Sequence, residues 1–386
     1  MTLSFASGLL MLVCIAATLL GSTSLLLRRI PALDSQSTPT DTDWLDGLRG
    51  IAVLLVVLNH APLVVHNLQL QPTGFVLGEQ LRTLLYYLGS VGIQLFFCIT
   101  GCFFAKALMP IHNVDWALFF FKRLRRLVPA YTVAVMGAVL IVGFFSQFDR
   151  NFVSSAIRAM PRMLAFGFYP LPHIGTFETV RLLGVNWTLA LEWRFYLFIP
   201  LVFVLSRLGK APGGVAIAVV ATTLLMVEGM GVWMFFALGA LASPLTLIEP
   251  TTNQRATART ALFVTMGSMV LNWSTVDQTR VLQGLHVIVL FICVAIARPR
   301  LMVERSLVAL GTFSYSLYLL HVMLLFAIFG FCNIYVVDVA ALLPLPFTVL
   351  LCGAIAIVTA LSAISYLWLE RRFIDLDARP EARPIR

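Results

Sequence analysis

Charged residues are scarce in this chain of 386 residues: they make up 12% of it, whereas 60% of the residues are hydrophobic. The mean hydropathy is +0.92. A soluble globular domain carries about 25% charged residues, so water is excluded as the main solvent. Apolar runs recur along the chain, each with the length of about 18 residues or more that a helix needs to cross a bilayer. The composition therefore predicts an all-α, polytopic transmembrane bundle.

Other absences exclude further classes. The net charge of +9 comes from short clusters between apolar runs, without the basic stripe and interleaved aromatics of a nucleic-acid-binding surface. The six cysteines lie within apolar stretches and lack the spacing of a zinc site or a disulfide framework, so we expect small core residues and no metal. They are Cys14, Cys98, Cys102, Cys293, Cys332 and Cys352. No soluble domain, internal repeat or low-complexity stretch is found.

Hydropathy predicts about eleven spans. They lie at about 4–27, 50–67, 84–108, 128–146, 187–206, 213–228, 230–247, 259–273, 281–297, 306–331 and 345–368. The first run has no basic residue before it and is followed by Arg28 and Arg29, which favours an anchor with its N-terminus outside over a cleaved signal peptide. This orientation places most basic clusters and the C-terminus in the cytoplasm.

The predicted organisation has four parts. An anchor helix occupies 1–30, a cytoplasmic linker 31–43, a membrane core 44–372 and a cytoplasmic tail 373–386. A predicted outside segment, at about 147–186, contains Pro161, Pro170 and Pro172. Prolines interrupt helices, so we do not expect one continuous helix there.

The second span carries a cation and an imidazole on one face. It opens with Asp46 and Arg49 and reaches His60; eleven helical steps return Arg49 and His60 to within about 20° of each other, at a rise of roughly 16 Å. A histidine in hydrocarbon needs a partner or a polar cavity. From the residues alone, His60 is equally a functional group or a structural hydrogen-bonding group.

A basic cluster precedes the fourth predicted span. Lys122, Arg123, Arg125 and Arg126 lie in the segment FFFKRLRRLVP. Composition alone favours an anchor at the cytoplasmic surface that contacts anionic lipid. The alternative is a phosphate site, because clustered arginines near a helix start bind polyanions.

Two further spans carry polar side chains. One begins with Trp187 and Thr188 and includes Glu192 and Tyr196; by helical rise Glu192 lies about 8 Å in from the outer end, in the same half as His60. An intramembrane carboxylate is a functional candidate by default, whereas Trp187 is equally an interfacial belt residue.

The tenth predicted span starts with Gly311, which we expect to permit close helix approach. It also carries Ser314, Tyr315, Tyr318 and His321. This face is interpreted mainly as packing and hydrogen bonding. His286 has no supporting pattern and is interpreted as structural.

Four segments resemble the integral membrane acyltransferase 3 family. They are DGLRGIAVLLVVLNH (46–60), FFKRLRRLVPAY (120–131), NWTLALEWRFY (186–196) and GTFSYSLYLLH (311–321). The family's basic residue and histidine, with ten residues between them, correspond to Arg49 and His60, and its Arg-x-x-Arg pattern to Arg123 and Arg126. Its W-[S/T]-L-x-x-E pattern runs from Trp187 to Glu192. The chain departs from the family after its last span, where Arg371 and Arg372 follow Glu370 and proline is frequent in relatives.

The resemblance implies transfer of an acyl group, usually acetyl, from cytoplasmic acyl-CoA to a hydroxyl of a cell-surface or lipid-linked glycan. It also implies a bacterial inner membrane protein, here of the stand-alone type without a fused extracytoplasmic hydrolase-like domain. Arg49, Arg123 and Arg126 are expected to bind the coenzyme's phosphates, His60 to act as general base and Glu192 to support it. Acyl transfer through the histidine itself stays open.

Two alternatives are kept. One is acylation of a small natural product such as a macrolide. The other, from a different class, is a secondary transporter in which His60 and Glu192 form a proton relay. Saturable, salt-sensitive binding of coenzyme A distinguishes the enzyme from the transporter.

Overall fold

The computed structural model is a bundle of helices, and it describes residues 2–34, 42–108, 114–146, 148, 151–208, 231–275 and 280–375. The α-helices are α1 (Phe5–Arg29), α2 (Asp43–His60), α3 (Val64–Asn67), α4 (Glu79–Leu108), α5 (Trp116–Phe145), α6 (Phe152–Met163), α7 (Val180–Leu183), α8 (Trp187–Leu208), α9 (Met234–Ala242), α10 (Thr252–Asn272), α11 (Arg280–Ala297), α12 (Arg305–Thr312), α13 (Ser314–Tyr335), α14 (Pro344–Ser365) and α15 (Arg371–Asp375).

Two short pairs of strands complete the described structure. Strand β1 (Thr2–Leu3) pairs in parallel with β2 (Val76–Leu77). Strand β3 (His173–Ile174) pairs antiparallel with β4 (Phe177–Glu178). Both pairs lie in segments that connect or precede long helices.

Among the described residues, seven helical segments are long and apolar enough to cross a membrane: Phe5–Arg29, Asp43–Asn67, Glu79–Leu108, Trp116–Phe145, Trp187–Val204, Ser314–Tyr335 and Pro344–Phe373. Two shorter apolar helices, Met234–Thr246 and Val281–Ala297, accompany them. The polytopic helical bundle is therefore confirmed. The count of eleven stays a prediction, since the expected span at 213–228 lies outside the described residues.

Two expected boundaries are wrong. Helix α5 begins at Trp116, capped by the Asp115 side chain, which accepts from the Leu118 amide; the basic cluster therefore lies within a helix, and the expected start at 128 is too late. The expected span at 306–331 is two helices that meet at Phe313. The separate helix α12 allows the chain to cross α2 closely before α13 begins.

The crossing of α2 and α12 depends on glycine. A side-chain carbon at Gly311 would lie 1.8 Å from the Asp46 carbonyl oxygen, and one at Gly50 would lie 2.1 Å from the Leu307 carbonyl oxygen. No other residue fits at these backbone contacts. The expected role of Gly311 in close helix approach is confirmed.

Helix α2 lies between the main apolar clusters of the bundle. On one side its buried residues pack with α1, α13 and α14, and on the other with α4, α9 and α11. A third cluster joins α5 and α6 to α13. Helices α2 and α13 thus lie at the centre of the bundle, and both carry polar side chains of the candidate site described below.

Candidate functional site

A small cavity lies at the Arg49 end of α2. Its volume is about 80 Å³. Arg49, Arg126, Thr188, Glu192, Ser314, Tyr315 and Tyr318 line it, together with apolar residues such as Phe96. Four segments that are far apart in the sequence, and that were each singled out as candidates, therefore meet at one place.

Arg49 reaches the cavity from α2. Its Nη1 atom lies 3.4 Å from Asp46 Oδ1 one turn earlier, and both side chains are partly buried. Asp46 also lies in the first turn of α2, where a carboxylate interacts favourably with the helix dipole. Asp46 therefore holds the guanidinium at the mouth of the cavity.

The two arginines predicted to act together face different surroundings. Arg126 lines the cavity, whereas Arg123 is not among its lining residues. The Arg123 guanidinium lies 4.7 Å from the ring centre of Phe104 and 5.7 Å from that of Phe119, in cation–π geometry. The arrangement gives Arg126 direct access to a ligand and gives Arg123 a packing contact.

Glu192 lies with the arginines. It lines the cavity that contains Arg49 and Arg126, and it interacts electrostatically with both. The hydroxyl of Tyr196, one turn further along α8, donates a hydrogen bond to it. The described contacts of Glu192 do not include His60, so the support of His60 by Glu192 stays a prediction.

The depth expected for Glu192 stays a prediction, while the cavity brings this residue together with Arg49. Leu183 and Val185, just before the helix, are buried, and a side-chain carbon at Gly167, where φ is +79°, would meet the Asn186 carbonyl oxygen at 2.4 Å. The segment before α8 is therefore packed against the rest of the bundle, which positions the start of α8 and with it Glu192.

Tyrosines from α13 join the helices around the cavity. The Tyr318 hydroxyl lies 2.8 Å from Thr188 Oγ1 and 3.2 Å from the Val185 carbonyl oxygen. The Tyr315 hydroxyl donates to the Leu127 carbonyl oxygen at 3.1 Å. These contacts fix α13 against the start of α8 and the middle of α5.

Trp187 packs, partly buried, against the apolar cluster of α4, α9 and α11.

Two histidines face each other at the other end of α2. The rings of His60 and His321 lie 5.2 Å apart, and the Tyr318 ring lies 6.1 Å from that of His321. His321 is fully buried. Its Nδ1 atom lies 2.8 Å from the Tyr318 carbonyl oxygen and must donate there, which leaves Nε2 as an acceptor with no hydrogen-bond partner in the described structure.

Sequence reasoning missed Glu370. This residue is 1% exposed, accepts a hydrogen bond from Ser316, and interacts electrostatically with Arg126 and Arg49. It ends a π-helical turn, Tyr366–Glu370, a local irregularity that is frequent at functional sites. Its position just after the predicted span 345–368, at the end of the apolar segment Pro344–Phe373, was the available signal, since a carboxylate there needs a partner.

The remaining predictions concern His286, the cysteines and metal binding. His286 Nε2 lies 2.8 Å from Ser268 Oγ, which fits the structural interpretation. All six cysteines are free, three of them buried. Among the described residues no group of three or more histidine, cysteine or acidic side chains is placed to hold a metal ion.

The apolar helices and the polar cavity between them define a polytopic helical membrane protein with a candidate site inside its bundle. The family model described as "Acyltransferase domain" matches residues 42–365. The chain belongs to this family.

Curated relatives agree with this family. A Bacillus subtilis protein named "Putative peptidoglycan O-acetyltransferase YrhL" is 28% identical over 172 residues, 42% of this chain and 24% of the relative. The "Peptidoglycan O-acetyltransferase OatA" of Listeria monocytogenes is 26% identical over 163 residues, 40% of this chain and 23% of the relative. The matches thus span about a quarter of these relatives. No solved structure shows a significant match.

Proposed function

We propose that this protein is a membrane O-acyltransferase that moves an acetyl group from cytoplasmic acetyl-CoA to a hydroxyl of a cell-envelope glycan. The observation that carries the proposal is the order of groups through the bundle. Arg49 and Arg126 lie at one end, Tyr318 lies between, and the pair His60 and His321 lies behind. The names of the relatives support acetyl as the group and a glycan as the acceptor.

The arginines bind the phosphates of the donor. Guanidinium groups form strong, charge-assisted hydrogen bonds with phosphate oxygens, and Arg49 and Arg126 both face the cavity. A cavity of about 80 Å³ is far smaller than a typical ligand site of about 300–1,000 Å³. The donor's thin arm therefore enters only when lining side chains such as Phe96 and Tyr318 move.

His60 acts as general base. It removes the proton of the acceptor hydroxyl, whose oxygen attacks the thioester carbonyl; the new C–O bond forms, the C–S bond breaks, and the imidazolium returns its proton to the leaving thiolate. His321 Nε2 is a free acceptor beside the His60 ring. A rotation of the His60 ring that brings its N–H to this acceptor would fix the tautomer that leaves the other His60 nitrogen free to act as base.

Glu192 has a separate part in this proposal. Its carboxylate lies among Arg49, Arg123 and Arg126, where it offsets their charge when no donor is bound. Tyr196 holds the carboxylate in place.

The test is the substitution His60→Ala. General base catalysis contributes about 10²–10⁴-fold to rate, so transfer of radiolabelled acetyl from acetyl-CoA to envelope glycan should fall to background in membranes with normal amounts of inserted protein. His286→Ala is the matched control, because this histidine bonds Ser268 away from the cavity, and it should retain the wild-type rate. Full transfer by correctly inserted His60→Ala protein would contradict the proposal.

A further inference from the structure

A second and larger cavity lies beyond the histidine end of α2. Its volume is about 720 Å³, which is within the range of small-molecule sites. Helix α2 ends at His60, and Pro62 and Leu63, two and three residues later, line this cavity. The larger cavity therefore begins within two residues of His60, at the opposite end of α2 from Arg49, although neither His60 nor His321 is among the lining residues of the two cavities.

The walls of this cavity are held by contacts between distant segments. The amides of Thr73 and Gly74 both donate to the Ala340 carbonyl oxygen at 2.9 Å, and β2 pairs with β1 near the N-terminus. Residues that precede the core and residues from two distant parts of the core thus form one structure near the end of α2. This cavity is a formed site and not a gap between loose loops.

One residue of the wall has a constrained backbone. Gln69 has a φ of 55°, in the left-handed region that residues other than glycine rarely occupy, and strained residues cluster at functional sites. Its side-chain nitrogen lies 3.5 Å from a Glu178 carboxylate oxygen. The hydrogen bond and charge of Arg181 hold the pKa of Glu178 below its usual range, so the carboxylate that contacts Gln69 remains ionised.

The lining combines polar and apolar groups that fit a sugar. His66, Gln69, Gln71 and Arg82 contribute donors and acceptors, while Tyr86 and Phe75 contribute aromatic rings. Amide side chains both donate and accept hydrogen bonds, as the hydroxyls of a sugar require. A concave site with apolar walls and a few polar groups is typical of specific small-ligand binding.

We propose that this cavity binds the acceptor, a hydroxyl-rich glycan chain, and presents one of its hydroxyls to His60. The inference rests on the proposed function and adds where the acceptor binds. Donor and acceptor then approach the histidine pair from opposite ends of α2. The acetyl group crosses the barrier at His60, and neither the whole donor nor the whole acceptor has to cross the membrane.

The test blocks the cavity from outside in intact cells. Gln71→Cys places a thiol in the lining, and Gln80→Cys places one on the exposed start of α4, outside the lining. Each variant is treated with a membrane-impermeant polyethylene-glycol maleimide. New base-labile acetate on the cell's own surface glycan is then measured, relative to untreated cells of the same variant and to treated wild-type cells.

The attached polymer should reduce new surface acetate by about tenfold or more in Gln71→Cys cells, because it fills the site. Gln80→Cys and wild-type cells should continue at the untreated rate. Tyr86→Cys, in the same lining, is treated in parallel so that the result does not depend on the folding of one variant.

Three outcomes would overturn the inference. If labelled Gln71→Cys and Tyr86→Cys keep their untreated rates, the cavity is not the acceptor site, while the proposed function stands. If labelled Gln80→Cys is inhibited equally, the effect is not specific to the cavity and the assignment fails. If wild-type cells add no more surface acetate than cells with His60→Ala, the proposed function itself is wrong and the acceptor site fails with it.

Discussion

Arg125 and Arg126 are neighbours on α5 with different surroundings. Arg126 lines the small cavity, whereas the Arg125 guanidinium lies 5.3 Å from the ring of the exposed Phe121. Helical rotation of about 100° per residue separates them. The sequence shows a cluster of basic residues, and only the phase of the helix shows which of them faces a ligand.

Arg126→Ala should raise the KM for acetyl-CoA. A hydrogen bond to a charged group contributes about 1.5–3 kcal/mol, so we expect an increase of about tenfold or more. Because Arg126 binds a remote part of the donor, binding should change more than the chemical step. Steady-state kinetics in detergent would measure both constants.

Arg125→Ala is the control for this experiment. It removes the same charge from the same helix but not from the cavity, and it should leave the KM within about twofold of the wild-type value. If the two substitutions changed the KM equally, the basic cluster would be interpreted as a contact with anionic lipid and not as a donor site.

Glu370→Gln should lower the KM for acetyl-CoA by about threefold or more, because it removes a negative charge that opposes the donor's phosphates near Arg126 and Arg49. Glutamine keeps an acceptor for Ser316. Glu304→Gln is the matched control: this glutamate also accepts from a serine, Ser306, but it caps α12 and is exposed. A higher KM in Glu370→Gln, or a lower one in Glu304→Gln, would contradict this account.

At the scale of helices, the fold class and most long helices could be predicted because their signal is local: apolar runs of bilayer length. The packing of the segment before α8 could not be predicted, since it depends on contacts of Gly167 and Val185 with parts distant in sequence. Glu192 was therefore identified as a candidate from its residue type, but its place beside Arg49 was not predicted. The pairing of His60 with His321 was missed for the same reason.

Gly311→Ala should destabilise the bundle. The added carbon would overlap the Asp46 backbone, which no side-chain rotation relieves, and overpacking costs about 1–3 kcal/mol. Since Asp46 holds Arg49, donor binding should weaken as well. Thermal unfolding of the purified protein in detergent measures the first effect.

Gly353→Ala provides the comparison within α14. A side-chain carbon at Gly353 meets nothing within 4 Å, and alanine favours a helix over glycine by about 1 kcal/mol. This variant should be as stable as the wild type or more so. A loss of stability equal to that of Gly311→Ala would show that the close crossing of α2 and α12 has no special importance.

At the scale of the whole molecule, α1 is part of the bundle. It lies before the residues matched by the family model, yet Ile15 and Leu19 are fully buried in the cluster formed with α2, α13 and α14. Arg305 on α12 forms an ion pair of 2.7 Å with Asp34, just after α1. The predicted anchor helix is thus packed against the core, which fixes the orientation of one relative to the other.

Because α1 is packed against the core, α1 and the core must insert into the membrane with one common orientation. Arg28 and Arg29 end α1, and Arg371 and Arg372 follow α14, the helix that α1 packs against. By the positive-inside rule we expect both basic ends to lie in the cytoplasm. The turn between β3 and β4 should then lie outside, at the histidine end of α2 with the larger cavity.

An epitope inserted at Gly175 would test this orientation. Gly175 lies in the turn between β3 and β4 and has open space around it, so a short insertion should be tolerated. Antibody should bind this epitope on intact spheroplasts, whereas an epitope at the C-terminus should become accessible only after permeabilisation. The reverse pattern would place the arginine cavity outside, away from cytoplasmic acetyl-CoA, and the proposed direction of acyl transfer would then be wrong.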